Sequence, residues 1–400
     1  MCRLTGETPH PDSSIGVEFN PLSGQQLADP YPIYLRARRE EPVFFSSALQ
    51  AWCITRYDDV VKVLADSERF HSPDDQSASL GFSYDWVRRG FNRAFAPAHM
   101  DDLAERIRGI AHRLIDQFVD HGSADFNRVF SSQFPLLVIL NLLGASERDA
   151  SKLQQWGDEW ITSMSSNLTS EHQEKISARL LDFRQYIGRL IDAIDERPDS
   201  NKLNLLSCLV SACRQEKDPP SREGLINACA VMALTGHETT TILLNTCLYR
   251  ILDDTHQARR ILEAPSRFAA MIEEILRFDT PLQSLPRITS TPLEIAGVLI
   301  PVGVRVEAFV ASANHDEAAF ACPEQFDLDR QDAKGHLSFG RGAHRCVGAH
   351  LARLETRVAL EAIMKRLPEL QLASGHKINY EIDRIYRGPK ELRIQWKSGP

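Results

Sequence analysis

One cysteine and one histidine stand in the glycine-containing string Phe339-Gly340-Arg341-Gly342-Ala343-His344-Arg345-Cys346-Val347-Gly348, with His350 just beyond it. Two glycines one residue apart permit a tight loop and a close backbone approach. The spacing of Val347, Leu351, Leu354, Val358 and Ala362 predicts a helix that begins at the cysteine and stops at Pro368. At a helix N-terminus the macrodipole and free N–H groups favour thiolate over thiol. On residues alone Cys346 has three uses. It is a small buried hydrophobe, a zinc ligand with His344 and His350, or the single axial thiolate of an iron porphyrin. The zinc reading lacks a second ligand pair at finger-like spacing.

A second constellation lies inside a long apolar stretch. From Ser221-Arg222-Glu223-Gly224 to about Leu252 the chain is apolar on most faces, which predicts one long buried helix. Its centre, Thr235-Gly236-His237-Glu238-Thr239-Thr240-Thr241, puts glycine, a carboxylate and β-branched hydroxyls where local propensity would not choose them. Either the threonines bond back to their own helix while Glu238 reaches a surface cation, or the helix opens here to bind water or a diatomic ligand. A third string, Met271-Ile272-Glu273-Glu274-Ile275-Leu276-Arg277, places Glu274 and Arg277 three apart on one helix face. Exposed, such a pair contributes roughly 0.2–0.5 kcal/mol.

Taken in chain order, with the cysteine loop last, the strings resemble the signatures of the cytochrome P450 family, and the resemblance spans roughly residues 20 to 396. It implies a mainly α fold with small β-sheets, and heme b lying between the long central helix and the C-terminal helix. Cys346 is then the proximal ligand, in a loop with Phe339, Gly340 and Gly348, and His344 bonds a haem propionate. The run Trp86 to Pro97 resembles the family's C helix, with Arg88 at its propionate-binding Arg and Tyr84 where His is expected. A tyrosine donates one hydrogen bond but brings no charge. Arg287 matches the Arg that bonds the other propionate. By the same resemblance Thr239 hydrogen-bonds the oxygen held at the iron, and Glu238 relays protons to it, which is general acid chemistry. Leu234, Thr235, Ser284 and Leu285 would border the substrate; Thr235 stands where Ala is usual.

Glu274 and Arg277 resemble the family's Glu-x-x-Arg pair, a structural lock. Its third member, an Arg in a Pro-Glu-Arg-Phe stretch, is here Gln325, which hydrogen-bonds Glu274 without neutralising it, so lower fold stability or haem retention is expected. His315 stands where Arg is common. The resemblance further implies a monooxygenase that activates O2 with electrons from a ferredoxin or flavodoxin-type donor and its reductase. It would hydroxylate or epoxidise a small organic, secondary-metabolite-like substrate. Two rivals stay open: a peroxide-using or isomerising haem-thiolate enzyme, and a degenerate haem-binding protein. The second is suggested by the short segment His71 to Ser83, by Tyr84 and by Gln325.

The elements that must position these groups are partly legible. Residues 1 to 20 read as a polar lead-in, and residues 21 to 400 as one domain without repeats. Asp29-Pro30-Tyr31-Pro32 opens a helix; Val43-Phe44-Phe45 and Trp52-Cys53-Ile54-Thr55 form a hairpin, and Tyr57 to Leu64 a helix. Leu103, Ile107, Ile110, Leu114, Ile115 and Phe118 make a buried helical stripe. Pro198 to Asn201 reads as a turn and Leu203 as a helix start. Leu293-Glu294-Ile295 and Val304-Arg305-Val306 read as strands flanking the turn Ile300 to Gly303, in a small C-terminal sheet.

A formal charge of −8, from 46 Lys+Arg against 54 Asp+Glu, argues against a general nucleic-acid or anionic-membrane binder. Within that acidic chain Arg341, Arg345 and Arg353, with Arg89 and Arg93, predict a local basic island for an acidic electron donor. Eight scattered cysteines without a Cys-x-x-Cys pair suggest a reducing compartment. With no signal-like start, and Phe134 to Leu143 too short to span a bilayer, the expected location is soluble and cytoplasmic.

Overall fold

The computed structural model describes residues 14–21, 23–72, 84–163, 169–196, 204–254, 260, 264, 267–380 and 386–398. In chain order its main elements are α1 Ser14–Glu18, α2 Tyr31–Glu40, β1 Val43–Ser46, β2 Ala51–Ile54, α3 Tyr57–Ala65, β3 Phe70–His71, α4 Tyr84–Ala94 and α5 Pro97–Asp116. There follow β4 Ser123–Asp125, α6 Phe134–Leu143, α7 Ala150–Ser163, α8 Leu205–Arg214, α9 Arg222–Thr235, α10 Glu238–Asp253 and α11 Arg267–Phe278. The last are β5 Leu285–Thr289, β6 Leu293–Ile295, β7 Val298–Ile300, β8 Arg305–Ala308, α12 Ala349–Arg366, β9 Gln371–Leu372 and β10 Arg393–Gln395. The described residues are mainly helical and the sheets are small, so the expected mainly α class holds.

The structure divides into two compact units, residues 1–76, 273–346 and 379–388, and residues 77–272, 347–378 and 389–400. In the first, a five-stranded sheet has the order β1-β2-β8-β5-β3. The expected hairpin is there, with Val43 opposite Ile54 and Phe45 opposite Trp52. β8, however, does not pair locally. It runs parallel to β2, with Trp52 beside Val306, and antiparallel to β5, with Arg287 beside Val306. The small two-stranded hairpin is instead β6 with β7, turning through Ala296 (φ 49°) and Gly297 (φ 82°), both left-handed, as a two-residue hairpin loop demands. The lead-in expectation also needs correction. Ile15 on α1 and Phe19 just past its end, four apart, are fully buried against Tyr34, Phe44 and Phe309, and the Phe19 ring meets Phe44 and Phe309 edge-on at 5.2 Å. An apolar pair at helical spacing outweighs the polar residues around it.

In the second unit the predicted stripe on α5, and Phe118 beyond it, is buried. α6 is apolar all round and buried on nearly every face. Gly90 lets α4 lie directly on α8, since a Cβ there would stand 2.7 Å from Leu209 Cδ2. β4, β10 and β9 form a three-stranded sheet in the order β4-β10-β9. The helix expected from Leu203 begins at Leu205, capped by Asn204; the turn Pro198 to Asn201 and most of the segment His71 to Ser83 lie outside the described residues. Among the described residues no helix is long and apolar enough to cross a membrane.

Candidate active site

In the first unit the cysteine string forms the predicted tight loop. Gly340 (φ 67°) and Gly342 (φ 73°) are left-handed. A Cβ on Gly342 would lie 2.6 Å from Leu64 O and 2.9 Å from Ala65 Cα, so the end of α3 leaves room for glycine only. Gly340 faces Leu285 Cδ1 at 3.3 Å, measured from the same hypothetical Cβ. Cys346 N–H donates to Phe339 O at 2.9 Å and Gly340 N–H to Leu337 O at 2.8 Å. Cys346 is exposed and forms no disulfide. His344 closes a short 3-10 turn, Gly342–His344. The helix that follows starts later than its apolar spacing predicts: Gly348 is the N-cap of α12 and Cys346 lies two residues before it. The helix dipole falls off within a turn, so the loop's own backbone carries more of the thiol's setting than the sequence suggests.

Behind the loop stands a buried ionic lattice. Arg277 grips Glu274 with two bonds of 2.8 Å, both side chains being essentially inaccessible. Arg277 also donates to the carbonyls of Asn314, Pro323 and Gln325. The neutral third member expected at Gln325 is corrected here. Arg330 Nε reaches Glu274 Oε1 at 3.1 Å, and Gln325 serves through its backbone carbonyl, which accepts from Arg277 and Arg330. Asp327 N–H adds a further bond to the same carboxylate oxygen. Asn314, fully buried, carries the lattice to the loop, accepting from Leu337 N–H at 2.7 Å and donating to Ser338 Oγ at 2.9 Å. His315 is buried too, its ring nitrogens 3.1 Å from Glu324 Oε2 and 2.9 Å from Phe278 O.

Arg287 is buried on β5 and donates to Pro286 O at 2.8 Å. Ser284 commits its hydroxyl to Glu307 at 2.7 Å, so it has little left for a substrate; Leu285 is half-buried.

In the second unit the long apolar stretch is two helices. α9 ends at Thr235, α10 begins at Glu238, and Gly236 and His237 form the break. Hydroxyls around it are mostly spent. Thr235, exposed, donates to Val231 O at 2.9 Å, Thr240 to Gly236 O at 3.2 Å and Thr241 to Ser131 O at 2.9 Å. The hydroxyl of Thr239, a half-buried residue, makes no hydrogen bond to any described residue. Thr235 and Thr240 thus bond back to carbonyls four residues earlier, Thr241 bonds across to Ser131, and Thr239 is spared next to Glu238. Leu234 is buried. His237 is buried, with Nδ1 3.2 Å from Leu234 O, and burial pulls its imidazole down to about 4.

Arg88 is half-buried on α4, and Tyr84 opens that helix, its side chain lying outside the description. The basic island loses one member: Arg89 is ion-paired with Glu216, and Arg93 bonds Ser211 at 2.9 Å. Arg341 and Arg345 are exposed.

A family model for cytochrome P450 matches residues 268–395. A putative cytochrome P450, YjiB of Bacillus subtilis, is 32% identical over 386 residues, covering 94% of this chain and 96% of the relative. The chain belongs to the cytochrome P450 family. The mycinamicin IV hydroxylase/epoxidase of Micromonospora griseorubida is 30% identical over 398 residues, covering 94% and 98%. The crystal structure of CYP109B1 from Bacillus subtilis superposes with a TM-score of 0.78 at 31% identity, covering 92% and 99%. As a cytochrome P450 the protein is an oxidoreductase of the monooxygenase class whose cofactor is heme b with a cysteine thiolate ligand. The residues present fit that group. One exposed cysteine outside any disulfide stands in a loop that admits only glycine at 342, the single soft donor that a haem-thiolate site needs. Sequence reasoning missed Arg330 and Asn314. Arg330 is the one arginine in the run Pro323 to Arg330, and that was its only sequence signal.

Proposed function

We propose that this cytochrome P450 hydroxylates or epoxidises a small, secondary-metabolite-like organic substrate, with electrons from a ferredoxin or flavodoxin-type donor and its reductase. For hydroxylation the balance is substrate C–H plus O2, two electrons and two protons, giving C–OH and water. The chain acts in this reading as one catalytic domain, soluble in the cytoplasm, with no nucleic-acid partner. Heme b supplies the oxygen-activating redox chemistry. Cys346 is its thiolate ligand, and Arg88, Arg287, His344 and Tyr84 hold its propionates by charge and hydrogen bonding. Phe339, Gly340 and Gly348 keep the cysteine loop in shape. Glu274, Arg277 and Arg330 fix the lattice behind it.

The observation that carries the reading is the uncommitted Thr239 hydroxyl beside Glu238 at a helix break, among threonines whose hydroxyls are spent. An alcohol and an acid adjacent in sequence can pass a proton inward, the step that separates oxygen insertion from release of peroxide. Leu234 and Leu285 give the substrate apolar contact; Thr235 and Ser284 contribute less, their hydroxyls being engaged. Supplied with electrons, Thr239→Ala should divert most of the consumed O2 to hydrogen peroxide while the haem spectrum stays that of the wild type. Full product yield from Thr239→Ala would contradict the reading and favour a peroxide-using or isomerising enzyme. The exposed Arg341 and Arg345 support an acidic donor, since complementary charge speeds encounter.

A further inference from the structure

His237 sits in the helix break with its ring almost wholly buried, and the backbone opposite is shaped to it. A Cβ on Gly157 of α7 would stand 2.4 Å from His237 Cε1, so the imidazole fills a slot that only glycine leaves open. Its protonation follows from its partners. A carbonyl only accepts, so the 3.2 Å contact with Leu234 O puts the proton on Nδ1. Burial keeps the ring neutral at ordinary pH, which leaves a lone pair on Nε2. That nitrogen is buried and makes no hydrogen bond among the described residues, and it lies 3.8 Å from Glu238 Oε2.

We propose that His237, wedged on Gly157, is a positioning residue that selects the proton-loaded form of Glu238 and turns it inward. A protonated carboxyl can donate to Nε2 after a small side-chain rotation. An ionised carboxylate is acceptor-only and meets a lone pair, so it turns to solvent. The Glu238 side chain is 28% exposed, so the outward position is open to it. Glu238 thus takes a proton from water when turned out, holds it hydrogen-bonded to Nε2 when turned in, and releases it to the neighbouring Thr239 hydroxyl, which hands on its own proton in the relay proposed above. His237 keeps its Nδ1 proton throughout and transfers none, and no electron moves in this step. The inference rests on the reading of Glu238 as proton relay given above.

The test uses the haem-loaded protein in its diamagnetic ferrous carbon monoxide form, with nitrogen-15 labelled histidine. The His237 resonances are assigned by their loss in His237→Phe. Wild type should show a protonated Nδ1 and a hydrogen-bonded, proton-free Nε2. Glu238→Ala should move Nε2 to the position of a free acceptor, whereas Glu238→Gln, whose amide N–H also donates, should keep it near the wild-type value. Gly157→Ala should displace the ring and reproduce the Glu238→Ala spectrum. In turnover, Glu238→Gln, Gly157→Ala and His237→Phe should each lower the fraction of electrons recovered in product by roughly tenfold, the low end for an outer-shell partner. A proton on Nε2 in the wild type, or an Nε2 signal indifferent to Glu238→Ala, overturns the proposal. If the spectra behave as stated but Glu238→Gln leaves product recovery unchanged, the contact stands. The relay role then fails, and this inference with it. Should Gly157→Ala not fold, the two Glu238 variants still decide.

Discussion

Arg330 Nε lies 3.1 Å from Glu274 Oε1, and it is this arginine that makes the buried Glu274–Arg277 pair a three-member lattice. Arg277 alone matches the charge of Glu274, but Glu274 Oε1 is shared among Arg277, Arg330 and Asp327 N–H. Arg330 also ties down the carbonyls of Ala321, Cys322 and Gln325, fixing the segment that wraps Glu274.

Removing Arg330 leaves Glu274 paired with Arg277 but takes one bond from the carboxylate and the donor from three carbonyls, at a cost of about 1–3 kcal/mol. Arg330→Met should therefore lower the denaturant midpoint and accelerate haem loss to a scavenging apoprotein. Gln325→Ala should change stability by no more than about 0.5 kcal/mol, since the Gln325 side chain is exposed and the lattice uses only its carbonyl. Equal losses in the two variants would return the third position to the Gln325 side chain.

Gly342→Ala adds a methyl 2.6 Å from Leu64 O at a left-handed φ of 73°. Overpacking and strain should together cost about 2–4 kcal/mol, and haem binding should suffer with stability because the loop moves. Gly297→Ala is the control. It is left-handed as well (φ 82°) but meets open space, so only about 1 kcal/mol of strain is expected. Chemical denaturation of both variants, with haem titration of Gly342→Ala, checks the difference.

Two buried groups in the second unit push stability in opposite directions with pH. His237 is held neutral, at about 4 against an ordinary 6.5, by burial. The unfolded chain therefore takes up its proton first as pH falls, and His237 withdraws up to about 3 kcal/mol of stability between pH 6.5 and 4. His237→Phe should flatten that part of the profile. Glu355 on α12 is fully buried, and burial raises its carboxyl well above the ordinary range. Its contribution is complete below the unfolded value and is lost as pH rises toward the folded one. Glu355→Gln should thus stabilise the fold more at pH 8 than at pH 5. Unfolding curves across that range would show either slope missing.

What the sequence made legible was local. The hairpin of β1 and β2, the α5 stripe, the glycine-shaped cysteine loop and the weak point at Gly236 all follow from spacing and backbone freedom within a few residues. What it hid was non-local. The parallel pairing of β8 with β2 joins Trp52 to Val306, and no local pattern in either strand names its partner. Arg330 escaped because the expected arginine is defined by a motif position, whereas the buried carboxylate accepts any guanidinium that reaches it. Ile15 and Phe19 were masked by polar neighbours, although their four-residue spacing was in view. The His237 slot needed Gly157, eighty residues away on another helix.

The central claim is a haem held by the Cys346 thiolate, and the visible spectrum of the dithionite-reduced protein, with and without carbon monoxide, tests it most directly in wild type and Cys346→Ser. The account predicts a strongly red-shifted carbon monoxide band in the wild type and its absence in Cys346→Ser. A band typical of histidine ligation in the wild type, or the red-shifted band persisting in Cys346→Ser, would contradict it.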